Sequence, residues 1–167
     1  MTGPAMWNAT TVARFPLQIQ SNNLRLLHDY WEIMRGDRAF PETSEVDVVD
    51  LPMSPGGVML VDVAPNQMAF TLKWVGTDYV LWLRRESTGL QLEDLPPSPN
   101  TVPFAQMLRR AADNCQPQAR SLPAAPSMNI PAVELVVLPL GGLDGKVARL
   151  LVGCAFDRKR RGLQVIG

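Results

Sequence analysis

Two hydrophobic periods run through this chain, and the places where one gives way to the other outline its elements. From Asn23 onward Leu24, Leu27, His28, Trp31 and Met34 recur at three- and four-residue spacing, the pattern of one buried helical face. Ser21 or Asn22 supplies an N-cap and Gly36 a stop, so a helix is predicted between them. A second apolar stripe, Leu26, Tyr30 and Ile33, lies on another face of that helix. It offers more apolar surface than one core contact uses and marks these three residues as candidates for an interface. After Pro41 an acidic, extended stretch (42–52) leads into Ser54-Pro55-Gly56-Gly57, which is turn chemistry. Residues 58–63 read as a strand and Pro65-Asn66 as the following turn. Met68, Phe70, Leu72 and Trp74 then alternate with Ala69, Thr71 and Lys73, predicting a second hairpin strand with those four on one dry face.

Gly76-Thr77 breaks that strand, and Tyr79, Trp82 and Leu83 return to helical spacing before Gly89. A short helix is expected there. Pro96, Pro97, Pro99 and Pro103 form a stiff connector that neither a helix interior nor a central strand tolerates. Beyond it Phe104, Met107, Leu108, Ala111, Ala112 and Cys115 occupy successive turns of one face, predicting a longer helix. A Pro-rich segment, 116–131, holds an irregular edge strand near 120–122. Two further strands, 133–140 and 146–156, flank the glycine-rich loop 141–145. In the last strand Ala148, Leu150, Val152, Cys154 and Phe156 share one side and Arg149 takes the other. The order of elements predicts an α+β domain, an antiparallel sheet with helices packed on one face. No glycine-rich nucleotide fingerprint sits between a strand and a helix, which disfavours a doubly wound fold.

Composition narrows the function more than it assigns one. With 46% hydrophobic residues in 167, the chain can bury a core of its own within a single domain. Residues 22–157 are read as that domain, 1–21 as an N-terminal arm and 158–167 as a basic tail. Sixteen Lys plus Arg balance sixteen Asp plus Glu, so no net field draws nucleic acid or an anionic membrane. Residues 1–20 contain Arg14 and Pro16 and no apolar run, and no later segment approaches the roughly 18 apolar residues of a membrane span. A cytoplasmic location without membrane contact is the expectation. In a reducing compartment Cys115 and Cys154 are expected as small core thiols rather than a disulfide.

Three groups of residues resemble the PAS-type domains of an alphaproteobacterial family once catalogued as a domain of unknown function. The first is Leu27-His28-Asp29-Tyr30-Trp31 with Arg35-Gly36 and Pro41, followed by Glu45-Val46-Asp47 and Leu51-Pro52. The second is Trp74-Val75-Gly76-Thr77 with Thr88-Gly89 and Asp94-Leu95, and the third is Leu138-Pro139-Leu140 with Asp144-Gly145. Thr43, Val48 and the Ser54 to Gly57 stretch depart from that family's pattern. The resemblance spans roughly 23–157. It implies a PAS-like five-stranded antiparallel sheet with helices over one face, preceded here by the amphipathic N-terminal helix, and a role in sensing or protein–protein regulation. With no catalytic domain beside the sensor, the output would pass in trans to an unknown signalling protein, and a homodimer is expected.

Candidate chemistry is sparse. His28 is the only histidine, and a metal or haem role would need partners with ligand spacing that the chain lacks. Neither cysteine stands in the Asn-Cys-Arg context of flavin-binding light sensors. Glu93-Asp94 falls in a loop, and a triad would have to use the single histidine, so no enzymatic activity and no catalytic residue are expected. The basic run Arg158 to Arg161 carries no interleaved aromatic and reads as a solvated tail, so nucleic-acid binding is not the expected role. Met68, Phe70, Leu72, Trp74, Tyr79, Trp82, Met107, Leu108, Ala111 and Cys154 are expected between sheet and helices, the last nine as candidates for a ligand pocket. Two readings stay open for them: a solid core, or a chamber in which small Ala111 and Ala112 leave room for an unidentified small apolar ligand. No cofactor is expected. A ligand-free adaptor or dimerisation module is the alternative to a ligand sensor.

Overall fold

Residues 17–156 are described by the structure, a computed structural model. The expected N-terminal arm before residue 17 and the basic tail lie outside the described residues. Strand β1 (Val58–Val63) shows how the chain is layered. Met59, Val61 and Val63 join one buried cluster, while Val58 and Leu60 join another. Because successive side chains of a strand leave opposite faces, the sheet must be covered on both sides.

Four more strands complete it: β2 (Phe70–Val75), β3 (Gln118–Leu122), β4 (Val133–Gly141) and β5 (Val147–Phe156). Their order is β2-β1-β5-β4-β3, and every neighbouring pair is antiparallel. The architecture is therefore mixed α and β on a five-stranded antiparallel sheet. Helices α2 (Asp78–Leu83) and α3 (Thr101–Asn114) are inserted between β2 and β3 and bury Tyr79, Trp82, Phe104, Met107, Leu108, Ala111 and Ala112 against one face. Helix α1 (Asn22–Arg35) covers the opposite face with Leu24, Leu27 and Trp31, joined by Ile19, Leu51 and the inward residues Val136, Leu138, Leu140 and Leu151. The expectation of helices on one face is thus corrected: both faces carry them. Continuous apolar runs in β4 and β5, Leu135 to Leu138 and Leu150 to Val152, are the composition of strands buried on both sides.

Several contacts seat α1. Ser21 Oγ accepts from the Leu24 N–H at 3.3 Å, which caps the first turn. The Glu134 carboxylate on β4 accepts the N–H groups of Gln20 and Ser21 at 2.7 and 2.8 Å. At the other end the Trp31 indole N–H donates to the Pro139 carbonyl at 2.8 Å, fully buried. Pro139 is tolerated within β4 because β3 ends at Gln118 opposite Val137. The edge beyond carries no ladder that needs a Pro N–H. Close approach also demands a glycine: a Cβ on Gly153 of β5 would stand 2.7 Å from Leu27 Cδ2 and 2.9 Å from Leu24 Cδ2.

One expectation fails in β2. Leu60 pairs with Trp74 but Val61 pairs with Leu72, leaving Lys73 as an extra residue. Such a bulge shifts the pleat by one. Phe70 and Leu72 therefore face α2 and α3, whereas Trp74 packs on the α1 side and Val75 takes the place expected for it. Met68, expected on the dry face, precedes the strand in the 64–69 turn and is 73% exposed. A similar irregularity between β4 and β5 pairs Leu140 with Arg149 and Gly141 with Val147, so Ala148 is the skipped residue and Val147 is buried in its stead.

Candidate functional site

The interior under α2 and α3 is built from local choices. Between β2 and α2 the chain passes Gly76, where a Cβ would lie 2.3 Å from the Gly56 carbonyl oxygen. Only glycine lets the two turns touch. That contact places Tyr79 over β1 and β5, where its hydroxyl has the carbonyls of Gly57 and Val152 as acceptors at 3.0 and 3.3 Å. One proton serves one acceptor at a time. Cys154 lies in the same buried setting. Burial pushes its thiol up to about 12, opposed by the Tyr79 hydroxyl and reinforced by the Asp78 charge. Burial first, then the Cys154 charge, holds the Tyr79 phenol well above its ordinary value. Both groups stay protonated at neutral pH, so this Cys154 is an inert thiol rather than a nucleophile.

Helix α3 begins after a compact cap. Ser98 Oγ accepts from the N–H groups of Asn100 and Thr101 at 3.2 and 3.1 Å, and Thr101 Oγ1 accepts from the Ser98 N–H at 2.8 Å. Set in this way, α3 directs Phe104 into an edge-to-face contact with Trp82, with centroids 5.3 Å apart. Of the nine residues expected to line an interior site, Phe70, Leu72, Tyr79, Trp82, Met107, Leu108, Ala111 and Cys154 fall in one buried cluster. Trp74 does not, because of the bulge at Lys73. Met59, Val61, Leu92, Leu95, Leu135, Val137 and Leu150 belong to the same cluster. The apolar content of β1, β4 and β5 was the signal for those members.

On the other face the interface candidates divide. Leu26 is 51% and Ile33 81% exposed, and they project away from the sheet. Tyr30 is half-buried against the α1 layer, so it serves as a wedge at the margin of that layer. His28 stacks on Trp31 with centroids 6.2 Å apart, and the Arg35 guanidinium lies 5.6 Å from the Trp31 ring. These contacts fix the helix surface that flanks the exposed stripe.

Surface chemistry is modest. Glu93 and Asp94 stand exposed in the 3-10 turn Leu92–Asp94. Among the described residues no group of three or more His, Cys, Asp or Glu is placed to hold a metal ion. No helix among them is long and apolar enough to cross a membrane. No family model matches the chain, and no curated protein matches it.

Proposed function

We propose that this chain is a PAS-like regulatory module that works by protein–protein contact in the cytoplasm, pairing with a second copy through α1 and passing its output to a signalling protein in trans. The observation that carries the reading is the double role of α1. One side is locked to the sheet through Trp31 and Glu134, and the other exposes Leu26 and Ile33 one helical turn either side of Tyr30. The two exposed residues lie seven apart, the repeat at which a helix meets a partner helix. The five-stranded antiparallel sheet, with α2 and α3 packed between β2 and β3 in sequence, supports the resemblance drawn from the sequence.

Within this reading the interior acts as a solid core that holds no ligand, and the module as an adaptor. Supporting this are Phe70, Leu72, Tyr79, Leu108 and Ala111, each at or near zero exposure, and the direct Trp82–Phe104 contact. A population shift between two seatings of α1 would then be set by the partner rather than by an apolar effector.

Cross-linking tests the pairing. A symmetric two-fold contact brings a residue near its own copy, so Ile33→Cys in a Cys115→Ser background should form an intermolecular disulfide under mild oxidation. A cysteine placed instead at exposed Thr88 should not. Equal cross-linking at both positions, or none at Ile33, would remove α1 as the interface.

A further inference from the structure

Helix α1 buries Leu24, Leu27 and Trp31, and by the helical period the line opposite them is Asn22, Leu26, Asp29 and Ile33, all four exposed. Their three- and four-residue spacing is that of the seam between two paired helices. Leu26 and Ile33 give this seam its apolar contacts, and Asp29 stands between them at a position that faces the partner.

Among the described residues Asp29 enters no ion pair. Arg25, one turn before it, turns its guanidinium back along the helix, donating to the Ile19 carbonyl at 3.0 Å and to the Asn22 side-chain oxygen. While α1 stands alone the exposed carboxylate is hydrated. Pairing of the helix removes that water, and must either leave the charge uncompensated or bring it a cation.

A second copy brings no cation. The contact proposed above sets Ile33 against its own copy, and using Leu26 as well requires the two helices to run side by side in the same direction. Asp29, one turn before Ile33, then meets the same residue of the other copy, carboxylate to carboxylate, and like charges so placed weaken association.

We propose that α1 takes, in preference to a second copy, a partner helix with a Lys or Arg between two apolar residues. The apolar pair would cover Leu26 and Ile33, and the cation would pair with Asp29. One face thus attracts this partner strongly and its own copy weakly, since specificity is a difference between two affinities. The signalling protein in trans would carry such a helix and displace the second copy, so that self-pairing is the resting state and exchange is the output step. This inference rests on the reading of α1 as the pairing surface and adds which partner that surface selects.

The full chain carrying Asp29→Lys presents the required pattern, a cation between Leu26 and Ile33, and serves as the probe. Mixed in equal amounts with wild type and followed by native mass spectrometry, it should form the mixed dimer about tenfold beyond the ratio that random pairing gives. Rising ammonium acetate should lower the excess. Asp37→Lys makes the same change of charge at an exposed position beyond the end of α1, and should pair with wild type at random. Asp29→Asn removes the clash without adding a charge, and should pair with itself more tightly than wild type does. Random pairing of Asp29→Lys with wild type, the same excess with Asp37→Lys, or no gain in Asp29→Asn overturns the proposal. If the Ile33→Cys cross-link still forms in that case, the pairing surface stands and only the choice of partner is lost. Loss of the cross-link as well removes both.

Discussion

The two faces of this sheet are covered in different ways. Beneath α2 and α3 the contacts are aromatic and aliphatic, and the buried Tyr79 hydroxyl turns toward the Gly57 and Val152 carbonyls, beside the buried Cys154 of β5. Beneath α1 Leu24 and Leu27 fit against Gly153, Trp31 is buried beside them, and the helix ends are tied by directed hydrogen bonds to Pro139 and Glu134. The first face holds its helices by bulk and the second by fit. A helix held by fit at a few points can be released by changing those points, while its outer side remains free to meet a partner. This is the physical basis for the proposal that α1 is the element a partner acts on, while the α2–α3 layer holds the sheet.

The comparison can be broken by mutation, beginning with the largest effect. Trp31→Ala removes a buried aromatic and strips the Pro139 carbonyl of its donor, so unfolding free energy should fall by about 3–5 kcal/mol in denaturant titration. Hydrogen exchange should rise throughout α1 before it rises in α3. Equal acceleration of both helices would mean that the two layers unfold as one unit. Gly153→Ala should cost about 1–3 kcal/mol by overpacking Leu24 and Leu27, with the loss again confined to α1. The Leu27→Ala background should recover part of it by removing the colliding methyl groups, a non-additivity that a double-mutant cycle reads directly.

Alkaline titration probes the other face. The folded thiol of Cys154 is raised from its ordinary 9.0 to about 12, so the unfolded chain loses this proton first. Stability from this group is complete below pH 9 and declines as pH rises toward 12, by at most about 1.4 kcal/mol per pH unit. Cys154→Ala should abolish the part of the decline that begins near pH 9 and leave the later part due to Tyr79. An unchanged profile would show the thiol to be solvated. The smallest expected effect is Glu134→Gln, about 1 kcal/mol through weaker bonds to the Gln20 and Ser21 N–H groups. Faster exchange should be restricted to the first turn of α1.

Much of this layout was legible in the chain. The spacing of Leu24, Leu27 and Trp31, with Ser21 before it and Gly36 after it, marked α1, and the stripe from Phe104 to Ala112 marked α3. What escaped was register. Period-two reading assumes one residue opposite one residue, and the Lys73 bulge, set by pairing with β1, moved Trp74 to the wrong side of that prediction. The second covered face was missed for a related reason. The alternation in β2 predicts one dry face, whereas the unbroken apolar runs of β4 and β5 belong to strands buried on both sides. Eight of the ten interior residues fall in the expected cluster: Tyr79, Trp82, Met107, Leu108 and Ala111 because helical period does not depend on strand register, and Phe70, Leu72 and Cys154 because they lie on the unshifted side of each irregularity.

The claim that matters most is that the exposed face of α1 joins two copies. Sedimentation equilibrium of the full chain beside the Leu26→Glu/Ile33→Glu double variant tests it directly, with circular dichroism to show that the variant is folded. The account predicts a wild-type dimer and a folded monomeric variant. A wild-type monomer across the concentration range, or a variant that remains dimeric, would contradict it.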